Sequence, residues 1–265
     1  MRVLHIGDIV GDSGRKAVSS ILPSIKKSHS PDLIIANCEN LAGGFGVTEK
    51  TLREVFDAGV DVMTSGNHIW DKKEALKIIT QESRLIRPAN YPPGVPGNTH
   101  FIFNTMSGAK CLVFNLLGRI FMDPLDCPFR TADKIIEEFK DRVTIFLLDF
   151  HAEATSEKLA IAWYLQGRVS AVIGTHTHVQ TADERILPLG TAYITDAGMT
   201  GSINSVIGMR KEEAIQRFLT FIPHKFEVAK DDIQLQGVIF DVDEKSGKSS
   251  YIERVKIKLG ESRAR

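Results

Sequence analysis

The chain has 265 residues, 43% of them apolar, and a formal net charge of +0 from 33 basic and 33 acidic side chains. That length suits one large α/β domain, or a domain with a modest insertion, and the apolar share is enough for a sizeable core. The balance of charge excludes a long-range attraction to nucleic acid or to an anionic membrane and leaves only a local basic site open.

The N-terminus, "MRVLHIGDIVGDSG", goes straight into a strand and a glycine turn, without the apolar segment and small-residue cleavage site of a signal peptide. A helix follows with Val18, Ile21, Leu22 and Ile25 on one face. "DLIIANC" is a second strand. Thr48 is placed to cap a helix carrying Leu52, Val55 and Phe56, with Gly59 at its end. "VDVMTSG" is a third strand, and "DKKEALKIIT" starts with Asp71 and has Glu74 three residues on, a capping-box arrangement. This alternation predicts a parallel, right-handed βαβ sheet. The proline- and glycine-rich stretch from about 85 to 130 reads as irregular surface structure covering part of a site, with two short apolar runs inside it. Helix and strand then return: a helix from about Thr131, the strand "VTIFLLDF", a helix through Leu159, Trp163 and Leu165, and the strand "RVSAVIG". "TDAGMTGS" reads as a polar loop at the edge of a site. "IQLQGVIFDV" and "SYIERVKIKL" form a hairpin. The expectation is a single domain over residues 1–265.

Polar residues recur where these strands end. Asp8 follows the first, Glu39 and Asn40 the second, Asn67 and His68 the third, His151 the fourth, and His176 and His178 the fifth. In open α/β sheets this is the edge where ligands bind. Taken singly, each has a plain explanation: Asp8 as a helix cap, Asn67 as a turn residue, a histidine as a hydrogen-bonded packing residue. Those explanations do not predict that all should gather on one edge. The set offers carboxylates, amide oxygens and imidazoles with no nearby thiolate. That suits Mn, Fe, Co, Ni or Zn better than Ca. Seven candidate groups exceed the needs of one ion and serve two that share a bridging carboxylate. Two metals about 3.5–4 Å apart form the clamp used in phosphate-ester hydrolysis. In an extended segment, His176 and His178 would point the same way about 7 Å apart, one for each ion, with Thr177 facing away.

"GDIVG", "GNH" and "GTHTH", in this order with the lone His151 between the last two, resemble the signature of the calcineurin-like metallophosphoesterases. The motifs run from residue 7 to residue 178, about two thirds of the chain. The usual D-x-H is D-x-V here, at Asp8 and Val10, and the usual GDxxD is replaced by "NCENLAGGFG". Both departures, with "DFHAEATSEK" and "THVQTAD", are similar to the YmdB-type branch of bacterial phosphodiesterases. The resemblance implies a sandwich of mixed sheets flanked by helices. It implies that Asp8, Glu39, Asn40 and His178 bind one metal and Glu39, Asn67, His151 and His176 the other, with Glu39 bridging and Fe or Mn foremost. It also implies attack by a metal-bound hydroxide on a cyclic nucleotide, either 2′,3′- or 3′,5′-, with His68 as proton donor. Asp71 is the nearby candidate to orient His68, though it also reads as a helix cap. A homo-oligomer in the cytoplasm is expected. A phosphomonoesterase or 5′-nucleotidase, and a slowly turning nucleotide-binding scaffold, are the alternatives.

Of the remaining residues, His5 is expected to pack near the first strand, and His29, His100 and His224 to lie at the surface. Trp70 and Trp163 are expected to pack. "AGGFG" is either a phosphate-approaching loop or a tight turn. Arg119 and Arg130 are either phosphate contacts or solvated. Cys38, Cys111 and Cys127 fit neither a disulfide framework nor a zinc clip and are expected to be buried, reduced thiols.

Overall fold

The structure is a computed structural model and describes residues 1–260. Its strands are β1 (Arg2–Ile6), β2 (Asp8–Ile9), β3 (Leu33–Asn37), β4 (Val62–Thr64), β5 (His100–Asn104), β6 (Lys110–Leu117), β7 (Ile145–His151), β8 (Ala171–Thr175), β9 (Arg185–Ile186), β10 (Ala192–Ile194), β11 (Met199–Ser202), β12 (Ile233–Val242) and β13 (Ser249–Lys258). The helices are α1 (Gly11–His29), α2 (Glu49–Asp57), α3 (Ala75–Gln81), α4 (Pro128–Phe139), α5 (Thr155–Leu165) and α6 (Lys211–Thr220).

Two mixed sheets result. One has the order β2-β11-β12-β1-β3-β4, with β13 also on β12; the other has β5-β6-β7-β8-β10-β9. The parallel stretches are β1-β3-β4, β6-β7-β8-β10 and the short pair β2-β11. Fully buried parallel strands need apolar residues on both faces, and the composition of these strands supplies them. Val3, Ile35 and Phe240 of the first sheet meet Val113, Leu147 and Ile173 of the second in one buried cluster between the sheets. The other face of the first sheet packs on α1 with Val18, Leu22 and Ile25. The outer face of the second packs on α4 and α5 through Ile135, Phe139 and Ile161. This is the expected sandwich. The ends of β3 and β4 in one sheet and of β7 and β8 in the other open onto one place, where Glu39 meets His151.

Local signals hold at α2, where the Thr48 hydroxyl accepts from Thr51 N and Gly59 follows the helix at φ 103°. The hairpin of β12 and β13 also forms as read. Elsewhere the fold differs from the sequence reading. The stretch from 85 to 130 is not simply irregular. Its two apolar runs are β5 and β6, and β6 lies parallel to β7 inside the second sheet. The proline-rich loop between β4 and β5 is stapled by Arg87, which is 6% exposed and donates to the carbonyls of Pro88, Val95 and Pro96. One arginine thus satisfies a loop that no ladder serves. "TDAGMTGS" is not a free loop either, since β11 runs parallel to β2 with Met199 opposite Asp8. α3 begins at Ala75, and its N-cap is Glu74. Asp71 instead closes the short 3₁₀ turn Asn67–Trp70. Trp163 is 46% exposed rather than packed. His100 is half-buried, with its ring 4.6 Å from that of Phe139. Cys38 and Cys111 are buried, Cys127 is half-buried, and all three are free. Among the described residues no helix is long and apolar enough to cross a membrane.

Candidate active site

Asp8 lies at the start of β2, and it does not cap α1: the N-cap is Val10, with no side-chain bond. Its Oδ2 accepts from His176 N at 3.1 Å. Its Oδ1 is buried without a hydrogen-bond partner and stands 3.8 Å from both His178 Nε2 and His151 Nδ1. Burial raises this carboxyl to about 6, against the pull of His178 and His151. Just after β3, Glu39 is 1% exposed. Its Oε1 is 3.0 Å from His151 Nε2 and 3.3 Å from the Asn40 amide, and its Oε2 accepts from His68 N at 2.9 Å. Burial alone would raise the Glu39 carboxyl, but the charge and hydrogen bond of His151 hold it at about 2.

The contacts fall into two groups. The Asn40 amide is 3.3 Å from His178 Nε2, on the side of Asp8. His151 Nε2 faces Asn67 Oδ1 at 3.1 Å and His176 Nδ1 at 3.0 Å, while its Nδ1 is the edge turned to Asp8. Ligand atoms of Glu39, His151 and His176 all lie within 4.8 Å of one another. All seven candidate ligands therefore gather in one place, with Glu39 touching both groups. His176 and His178 face different neighbours, and not by strand geometry. β8 stops at Thr175, and both histidines take left-handed backbone, with φ 97° and 64°. Such a conformation in a non-glycine residue persists only where the surroundings fix it. Here Asp196 does so. Its Oδ2 accepts from Thr177 N at 3.0 Å, Thr177 Oγ1 at 2.7 Å and Lys158 Nζ at 2.8 Å. Its Oδ1 accepts from Gly198 N at 2.8 Å.

The donor set fits metal cations on three observations. An orphaned buried carboxylate oxygen is an unmet demand for positive charge. His151 Nε2 has three neighbouring ligand atoms and room for one proton; a proton there, which Glu39 favours by raising the imidazole to about 9 in spite of burial, neutralises the same acceptors that a cation would. His176 is lowered to about 3, by burial and then by the charge of His151, so its imidazole is neutral and can ligate. Gly66 supplies the space, because a Cβ there would lie 2.3 Å from Glu39 Oε2 and 2.4 Å from His151 Nε2.

His68 stands at the rim. Its Nδ1 is 2.8 Å from Asp71 Oδ2, and the Phe45 ring meets it edge-on at 5.0 Å. Beneath the floor lies a carboxylate that the sequence reading passed over. Asp149 Oδ1 accepts from Thr175 Oγ1 at 2.6 Å, and that hydroxyl is 2.9 Å from His151 Nδ1. Asp149 Oδ2 takes Asn37 Nδ2 at 3.2 Å and the Thr64 hydroxyl, with His5 Nε2 3.6 Å away. An aspartate inside the apolar run "VTIFLLDF" was the available signal. Lys158 gave none, since it looks like any helix-surface lysine, yet it is 1% exposed. "AGGFG" makes a tight turn, with Ala42 N bonded to Gly46 O at 2.9 Å, and Gly44 is pressed against Met209. Arg119 and Arg130 are exposed.

Over this floor lies a cavity of about 450 Å³, bounded by Glu39, His68, His176 and His178 on one side and by apolar side chains on the other. The volume is in the range of small-molecule sites. A Bacillus subtilis protein named as a 2′,3′-cyclic-nucleotide 2′-phosphodiesterase is 49% identical over 257 residues, covering 97% of both chains. A hypothetical protein from Thermus thermophilus superposes with a TM-score of 0.92 at 43% identity, over 97% of this chain and 99% of the other. A structure described as a novel phosphatase from Mycoplasma pneumoniae gives the same TM-score at 36% identity, over 97% and 93%. The sequence pattern of the YmdB-like proteins spans residues 4–255, so it takes in every strand and side chain that builds this site, and the chain belongs to that family.

Proposed function

We propose that this chain is a metal-dependent phosphodiesterase that opens 2′,3′-cyclic nucleoside monophosphates, with 3′,5′-cyclic nucleotides as the second candidate class. The observation that carries the reading is the buried crowd of acceptors around Asp8 Oδ1 and His151 Nε2, at the floor of a nucleotide-sized cavity. The name of the 49% identical relative supports the choice of substrate. Asp8, Asn40 and His178 would hold one ion, and Asn67, His151 and His176 the other, with Glu39 shared. Fe or Mn is foremost, and Zn, Co or Ni would also suit the nitrogen and oxygen donors. When bound, such ions supply positive charge beside the phosphoryl oxygens and acidify a water for attack.

The chain's own residues do the rest. Asp196 and Lys158 fix the backbone that carries His176 and His178. Thr175 and Asp149 hold His151 from behind, which sets the direction of its Nε2. Asp71 fixes His68 through Nδ1, so the proton available for transfer sits on Nε2, and the ribose 2′-oxygen would take it as the ester opens.

Purified protein loaded with Mn or Fe tests this against bis-p-nitrophenyl phosphate, p-nitrophenyl phosphate and both classes of cyclic nucleotide. The expected result is turnover of diesters well above that of the monoester. The description of the Mycoplasma pneumoniae structure favours a phosphatase as the second reading, and turnover of the monoester alone would establish it. No turnover at full metal occupancy would leave a nucleotide-binding scaffold.

A further inference from the structure

The half of the cavity opposite the ligands is apolar. Phe45, Phe218 and Phe226 line it with Val206, Ile207 and Met209. Phe45 and Phe226 are packed: they sit on a small buried cluster of Val10, Met199 and Met209. Phe218 is different. It lies on α6, is 74% exposed, and still borders the cavity. An aromatic ring held over a polar site without burying itself leaves a π-face for something else.

Several polar groups of this half are engaged within the protein. Arg217 Nη1 donates to the Phe221 carbonyl. Thr177 is bound through both its N and its hydroxyl to Asp196. Glu153 Oε2 is 3.1 Å from His176 Nε2.

We propose that this wall is a nucleobase subsite, which holds the base of a cyclic nucleotide by stacking on Phe218. The proposal rests on the cyclic-nucleotide reading above. Its placement suits that substrate. Phe45 touches the ring of His68, so the wall begins beside the proton donor, and a ribose would join a base on the wall to a phosphate on the floor. Stacking tolerates any base, because each has a π-face, and favours the larger purines. All four 2′,3′-cyclic nucleotides should therefore be substrates, with purines modestly ahead.

The test compares adenosine 2′,3′-cyclic phosphate with the abasic ribose 2′,3′-cyclic phosphate, using native protein, Phe218→Ala and Phe218→Leu. Leu219→Ala is the control, since it lies on the same helix at 72% exposure and does not line the cavity. The ratio of kcat/KM, nucleotide over abasic ester, should fall about 5- to 150-fold in Phe218→Ala, through KM, and less in Phe218→Leu. Leu219→Ala should keep the native ratio. An unchanged ratio in Phe218→Ala overturns the proposal, and so does an equal loss on both esters with a changed oligomeric state, which would make the wall an interface. A native protein that opens neither ester defeats the phosphodiesterase reading instead. Binding of adenosine 3′-monophosphate against ribose 3-phosphate then still tests the wall, and equal affinity for the two overturns it.

Discussion

The floor and the wall of the cavity are built in opposite ways. The floor is made from strand ends of both sheets, with Asp8, Glu39, Asn40 and His151 buried and the other site residues half-buried. Asp196 alone receives four hydrogen bonds. The wall comes from α6, the segments flanking it and Phe45. Phe218 there is 74% exposed, and its neighbours outside the cavity, Leu219, Phe221 and Ile222, are all more than 60% exposed. The two meet where His178 Nδ1 binds the Ile207 carbonyl at 2.9 Å. Chemistry on a phosphoryl group needs charge and direction fixed before substrate arrives, and strand ends locked by a core supply that. Recognition of the rest of the substrate needs only a surface that water leaves readily.

If the floor is one electrostatic unit, its removal should be felt throughout, whereas damage to the wall should depend on substrate. The largest effect is expected from Glu39→Ala. Bound metal should fall from about two ions per chain toward one or none, with loss of turnover on every substrate. Elemental analysis of the folded variant checks it, and unchanged metal content would remove Glu39 from the bridging place. Next comes His68→Ala. It should keep its metals and lose about 10²–10⁴-fold on a cyclic nucleotide, whose ribose oxygen needs a proton. It should lose clearly less on bis-p-nitrophenyl phosphate, whose leaving group does not. Equal losses at full occupancy would make His68 a phosphoryl-binding group.

Lys158→Met tests the rigidity of the floor. Removing one partner of a fully buried pair leaves Asp196 with an uncompensated charge and is expected to cost about 3–5 kcal/mol of stability, read from denaturant midpoints at unchanged slope. A change under about 1 kcal/mol would show that Asp196 does not need the lysine. The smallest effect is the one at Phe218. It falls on one class of substrate only, which is what separates the wall from the floor.

The two regions also differed in how far the sequence disclosed them. The floor was legible in part, because Asp8, Glu39, Asn67, His151 and His176 each lie at a strand end, but those strands belong to two sheets and not to one edge of one parallel sheet. The same logic located β1, β3, β4, β7 and β8. What it misjudged was geometry set by distant partners. His176 and His178 separate through left-handed backbone held by Asp196, some 20 residues on, and not through strand alternation. β5 and β6 were hidden by the proline-rich loop before them, whose carbonyls Arg87 binds. Asp71 has two local readings, and the structure puts it in contact with His68 and not at the N-cap of α3. The wall was not legible at all. Phe45, Phe218 and Phe226 share no periodicity, and only tertiary structure brings them to one cavity.

The division of the floor into two ligand groups that share Glu39 is the central claim, and anomalous scattering from crystals loaded with Mn or Fe addresses it most directly. Two peaks are expected in the native protein, one beside Asp8, Asn40 and His178 and one beside Asn67, His151 and His176, each in contact with Glu39. His178→Ala should weaken the first peak and His176→Ala the second. A single peak, or loss of the same peak in both variants, would contradict the account.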